Sequence, residues 1–190
     1  MSEPIELTDS GLVAITRDSL LSLRTALFRD LGTNAAAVLQ EAGYAGGEAF
    51  FAAFSRWLSL RGLPSPESLA ANQFASHASE FLLGTGWGSI DVGTLEAAAT
   101  IDSPDWAESD PEHPMDFPGC YYSAGLLTDL FGRIIGEPVA VMEVECRSMG
   151  NDRCRFLVGA VETMQRVYDA MGDGSTYEQA LADSSSAVGS

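Results

Sequence analysis

The sequence contains no lysine. Its ten basic residues are all arginines, and they face 27 acidic residues, a formal net charge of −17 at pH 7. Such a chain repels phosphates and anionic lipid surfaces, which argues against direct nucleic-acid binding and against a membrane partner. The charge favours solubility but names no partner. No apolar run approaches the 18 or so residues of a membrane span. The N-terminal MSEPIELTDSG is acidic and lacks an apolar signal core, so a cytoplasmic protein is expected. Cysteine is scarce, with three in 190 residues. In that compartment a cysteine is more often a thiol or a metal ligand than half of a structural disulfide. Histidine occurs twice, and no Ser-His-Asp order, GxSxG or P-loop is present. Catalysis by side chains alone therefore has little support.

What is present suits one domain of helices followed by hairpins, the α+β class. SLLSLRTALFRDLG places Leu20, Leu23, Leu27 and Leu31 on one helical face, ended by Gly32. A second helix over 34–60 carries Gly43, Gly46 and Gly47, each costing about 1 kcal/mol in a helix interior. They imply a break or a place where another backbone packs closely. PSPES at 64–68 supplies a cap for a third helix running to about Leu83. WGSIDV and TLEAAATIDS read as strands joined at Gly93. The Pro- and Asp-rich stretch before Cys120 is a 16-residue loop, a length that tends to be functional or mobile. A helix follows over 120–136, stopped by Gly136. Two strands then flank SMGN, and a helix covers about Glu162 to Met171. Ser175 and Glu178 form a capping box for a last short helix. The expected organisation is a lead-in over 1–14, one domain over 15–172, and a C-terminal helix and tail over 173–190.

CRSMGNDRC at 146–154 carries two of the three thiols. A hairpin centred on Gly150 sets Cys146 and Cys154 opposite each other, about 5 Å apart at Cβ. Cys120 opens a helix, whose positive end favours thiolate, the form that binds zinc. Glu143 could give an oxygen ligand, but on a regular strand it and Cys146 face opposite ways. Both can ligate if the strand bulges or turns near Glu145. Arg147, Arg153 and Arg155 could offset the net charge of such a centre, or form a solvated face paired with Glu145 and Asp152. From these residues alone the cysteines are a metal site, a redox pair lacking the usual CxxC, or small core hydrophobes.

GCYYSAGLLTDLFGRIIGEPVAVMEVECRSMGNDRCRFLVG, residues 119–159, resembles the 4-vinyl reductase domain family, with its helix-opening Cys and its "E..C...G...C.F.V" hairpin. AVLQEAGYAGGEAF resembles the family's "L.eaGy..G" helix, so the likeness spans about 15–160. This is a small-molecule-binding module related to Golgi transport-particle subunits and to sensor domains of phenol- and toluene-responsive regulators. The resemblance implies an antiparallel sheet of hairpins flanked by helices, of the transport-particle and NO-signalling ligand-binding type. It implies a zinc staple on Cys120, Glu143, Cys146 and Cys154, with no open position to activate water. It also implies a homodimer, and a pocket between the helix opening at Cys120, the helix before Leu83 and the loop before Cys120. His77, Phe81, Trp106 and Tyr122 are the candidates facing it, ring faces for an aromatic guest with a polar handle. Each of the four also reads as plain core or surface.

Three functions compete. The first is a zinc-containing binding or sensing domain for a small hydrophobic or aromatic molecule, signalling through a separate partner. The second is an accessory or carrier role in reducing a vinyl group of a (bacterio)chlorophyll precursor. A reductase proper needs a hydride source, and no nucleotide loop is present. GTGWG at 84–88 follows a helix and precedes a strand, the reverse of such a loop. The third is a ligand-free interaction scaffold whose cavity is filled by side chains. Pocket volume separates the third from the first.

Overall fold

The computed structural model describes residues 11–188, with side chains through Ser184. Residues 1–10 of the expected lead-in and residues 189–190 of the tail lie outside the described residues. Six helices and four strands follow in the order α1 Arg17–Leu31, α2 Asn34–Leu60, α3 Ala71–Gly84, β1 Asp91–Leu95, β2 Ala98–Ser103, α4 Tyr121–Ile135, β3 Val139–Glu145, β4 Cys154–Ala160, α5 Val161–Gly172 and α6 Tyr177–Val188. The strands form one antiparallel sheet in the order β1-β2-β4-β3.

The alternation along β4 sorts the core into two layers. Phe156 and Val158 face a large cluster built by α2, α3 and α4, with Phe54, Phe81, Leu127 and Phe131 among its buried members. Leu157 faces a smaller cluster with Met164 and Val167 of α5 and Leu181 of α6. The sheet is thus covered on both faces by helices, and the antiparallel α+β reading holds.

The glycines of α2 mark close approach, not a break: the helix runs unbroken over 27 residues. A Cβ at Gly43 would overlap the Tyr122 carbonyl oxygen, and one at Gly125 of α4 would overlap that of Gln40. The two backbones touch, so no side chain fits between them. Gly125→Ala forces α2 and α4 apart, an overpacking cost of about 1–3 kcal/mol. The melting temperature is expected to fall by roughly 5–10 °C. Gly172→Ala, where nothing lies within 4 Å, should leave it unchanged; equal melting of the two variants would refute the close-contact account.

Several local readings shift. The β1–β2 turn falls at Glu96–Ala97, with Glu96 at φ 51°, and Gly93 sits inside β1 opposite Thr100. PSPES contributes a 3-10 turn over Pro66–Ser68. The last helix is capped by Thr176 with Gln179, whose side chains accept each other's backbone N–H at 3.3 and 3.1 Å. On α1, Leu23 and Leu31 are exposed while Arg24 is buried. The guanidinium of Arg24 donates to the Glu108 and Gly119 carbonyls. That contact with the long loop rotates the helix away from the face its leucines suggest.

Candidate metal centre

Cys120 is the N-cap of α4, Glu143 lies in β3, Cys146 follows the end of β3, and Cys154 opens β4. All four are buried, and their donor atoms lie within 4.8 Å of one another. The Cys120 Sγ is 3.9 Å from the Cys146 Sγ and 4.0 Å from the Cys154 Sγ. Tetrahedral ligation with Zn–S bonds of about 2.3 Å sets sulfurs about 3.8 Å apart. A disulfide sets them about 2.05 Å apart, and all three cysteines are free. The donor set therefore has the dimensions of a metal site.

A bulge makes this possible. Glu143 pairs with Phe156 and Glu145 with Arg155, so Val144 is the extra residue. One step of the strand's alternation is lost, and Glu143 and Cys146 turn to the same side. A 3-10 turn over Arg147–Met149 follows, closed by Gly150 at φ 88°. The Asn151 side-chain oxygen accepts the Cys146 N–H at 3.0 Å and fixes the knuckle.

Glu143 carries the decisive detail. Its Oε2 accepts the Cys120 N–H at 2.8 Å, while its Oε1 is buried with no hydrogen-bond partner. A buried carboxylate oxygen left unpaired is costly, and a cation held by the three sulfurs would satisfy it. Proton affinities point the same way. Burial pushes the Glu143 carboxyl up, and the charge at Cys146 adds to this. Burial also pushes the Cys120 thiol up, against the expectation from its helix end; complete enclosure outweighs the dipole. Cys146 moves down, because the Cys120 and Cys154 thiols donate to it. The cluster thus shares its protons around one thiolate, and a divalent cation would displace the others.

The nearby arginines are engaged elsewhere. Arg155 holds Asp102 in a two-pronged pair at 2.7 and 2.6 Å, and Arg153 reaches Glu145 at 2.9 Å. The Tyr177 hydroxyl of α6 donates to the same Glu145. This network ties α6 to the sheet. Arg147 instead donates to the Ser109 hydroxyl.

Glu108 escaped the sequence reading. It is one of five acids in the loop before Cys120, with no spacing to single it out. Fully buried, it accepts the Tyr122 and Ser123 N–H groups and the Ser123 hydroxyl. It thereby caps α4 one turn from Cys120. Burial pushes its carboxyl up to about 7, against the pull of the three donors.

The four pocket candidates fall into two aromatic groups. Trp106 is fully buried, donates from Nε1 to the Ser123 hydroxyl at 2.8 Å, and packs 5.8 Å from the Trp87 ring. Tyr122 stacks on the other side of Trp87, nearly parallel at 5.9 Å. Phe81 lies 5.7 Å from Trp57, and the half-buried His77 ring lies 6.2 Å from the same indole. The void beside Phe81 amounts to about 10 Å³, the room of about one water. None of the other three lines it.

Residues 111–160 match the 4-vinyl reductase domain. The matched segment takes in the end of the loop, α4, β3 and β4, and with them all four donors. It bears out the resemblance read from the sequence. An uncharacterized protein of Methanocaldococcus jannaschii is 40% identical over 45 residues, which is 24% of this chain and 25% of that protein. The chain thus matches about a quarter of that relative's length. Among solved structures, the phenol-responsive sensory domain of the transcription activator PoxR with phenol aligns at TM-score 0.62 and 18% identity, covering 80% of this chain and 77% of that one. A vinyl-4-reductase family protein of Methanocaldococcus jannaschii aligns at 0.54 and 17% identity, over 79% and 84%. A trafficking protein particle complex subunit 3 of Naegleria fowleri, covalently bound to palmitic acid, aligns at 0.54 and 16% identity, over 75% and 91%. At these identities the likeness is one of fold. Among the described residues no helix is long and apolar enough to cross a membrane.

Proposed function

We propose that residues 15–172 form a zinc-stapled binding module for a small hydrophobic or aromatic molecule, a cytoplasmic homodimer reporting to a separate partner. The observation that carries this is the buried set of Cys120, Glu143, Cys146 and Cys154 with one carboxylate oxygen left unpaired. Three thiolates select a soft ion such as zinc. Four protein ligands leave no open position, so the ion braces the hairpin against α4. The fold shared with a phenol-responsive sensory domain supports the binding half of the reading. In this reading a guest meets Phe81, Trp106 and Tyr122, with His77 at the rim, and the rings must turn to admit it.

The nearly filled interior beside Phe81 favours a second reading, an interaction scaffold without a guest. Native mass spectrometry of the untagged protein, repeated after denaturation, separates the two. One zinc per chain with a retained apolar mass is the expected result. Zinc alone moves the weight to the scaffold. A metal-free chain whose three thiols all alkylate in the folded state sinks the metal assignment.

A further inference from the structure

β3 is an edge strand, and a cleft of about 510 Å³ runs along it between the start of α4 and the length of α5. Its volume falls in the range of small-molecule sites, about 300–1,000 Å³. Consecutive residues Ala140 to Glu143 line it. Because they point alternately to both faces of the sheet, the cleft wraps around the strand edge. None of the four aromatic candidates discussed above lines it.

We propose that this cleft is a second, preformed binding site for a neutral apolar molecule carrying one hydrogen-bond acceptor such as a carbonyl. The apolar lining is recessed. Met164, Ala124 and Val141 are buried, and at the rim only Val161 and Tyr168 stand well out, at 44% and 65% exposure. A macromolecular partner needs protruding apolar groups to grip, whereas a recessed apolar floor suits a narrow guest that slides in. Met142, Met164 and Met171 supply flexible side chains that mould to an irregular shape.

Charge narrows the class. No arginine lines the cleft, while Glu143 and the Cys120 sulfur lie at its floor, within a chain of net charge −17. An anionic head would meet like charge with no cation to receive it. The donors available are neutral: the amides of Gln40 and Gln165 and the phenols of Tyr121 and Tyr168. Burial and the Glu143 charge push the Tyr121 phenol up, which keeps its O–H in place. The outer backbone of the edge strand adds N–H groups of its own. A guest that accepts a hydrogen bond is therefore matched, and one bearing a carboxylate or sulfonate is rejected.

Nile red, neutral and apolar with a ring carbonyl, tests this against anilinonaphthalene sulfonate, its anionic counterpart in size. The metal-loaded full chain should bind Nile red at least tenfold more tightly than the sulfonate. Val161→Trp and Gln165→Trp, both at exposed positions of α5, fill the cleft without touching the core. Each should weaken Nile red at least tenfold while the melting temperature holds. Three results overturn the site: no Nile red binding to the wild type, undiminished binding to both tryptophan variants, or sedimentation showing that Val161→Trp splits a dimer. The second result would place the dye in the aromatic interior and leave the binding function standing. The third would give the cleft to a second copy of the chain.

Discussion

Replacing Cys154 by alanine is expected to lower the melting temperature of the metal-loaded protein by about 10–15 °C. The donors of Cys120, Glu143, Cys146 and Cys154 come from three separate elements, so an ion held there joins α4 to both strands of the hairpin. Structural zinc contributes on the order of 10–16 kcal/mol of apparent binding in small finger peptides. A chain with two apolar layers of its own depends on it less. A loss of about 4–5 kcal/mol, at roughly 2–4 °C per kcal/mol in a chain this size, gives the stated fall. The variant should also lose its response to chelators, whereas the wild type should drop to nearly the same melting temperature when stripped. The alternative, in which the cysteines are core hydrophobes, predicts a smaller cost for Cys154→Ala and no chelator effect in either protein. Wild type that melts identically with and without a strong chelator would rule out the staple.

The metal centre was largely legible because its requirements are local. Cysteine is rare, so the spacing of Cys146 and Cys154 about Gly150 stands out, and a thiol at a helix start is easily noticed. Even the bulge at Val144 was implied, since Glu143 and Cys146 cannot share a side without it. The charge around the centre was not legible. Arg153 and Arg155 lie close to the ligands in sequence, yet they pair with Asp102 and Glu145, and Asp102 arrives from a strand some fifty residues earlier. The same limit hid Arg24 and Glu108, which meet across 84 residues. A leucine count along α1 cannot show that its arginine is the residue turned inward. Turn positions failed for a different reason. Gly93 looked like a turn because glycine permits one, but the ladder places the turn at Glu96, a non-glycine residue in the left-handed region. The aromatic candidates divide between Trp57 and Trp87 because ring-bearing side chains carry no directional signal in sequence.

Glu108 sets the largest effect away from the metal centre. Glu108→Ala strips partners from the Tyr122 and Ser123 N–H groups and from the Ser123 hydroxyl, which also receives the Trp106 indole N–H. Each buried donor left unpaired costs about 1–3 kcal/mol. With some relief from entering water, a loss of about 3 kcal/mol is expected, or roughly 6–12 °C. Because α4 begins at this cap, zinc affinity should fall with it, by about tenfold or more. The wild-type carboxyl adds a pH dependence whose sign follows from its raised proton affinity, from 4.5 up to about 7. The folded state binds this proton more tightly than the unfolded state, so its contribution is fully present below about pH 4.5 and is lost as pH rises through 7. Between pH 5.5 and 8 the wild type should lose about 2 kcal/mol through this group alone. Glu108→Gln keeps an acceptor for the helix but cannot ionise, so its stability should fall less over the same interval. Urea unfolding of the two proteins at both pH values measures the difference, and parallel pH profiles would show that Glu108 stays ionised in its buried site.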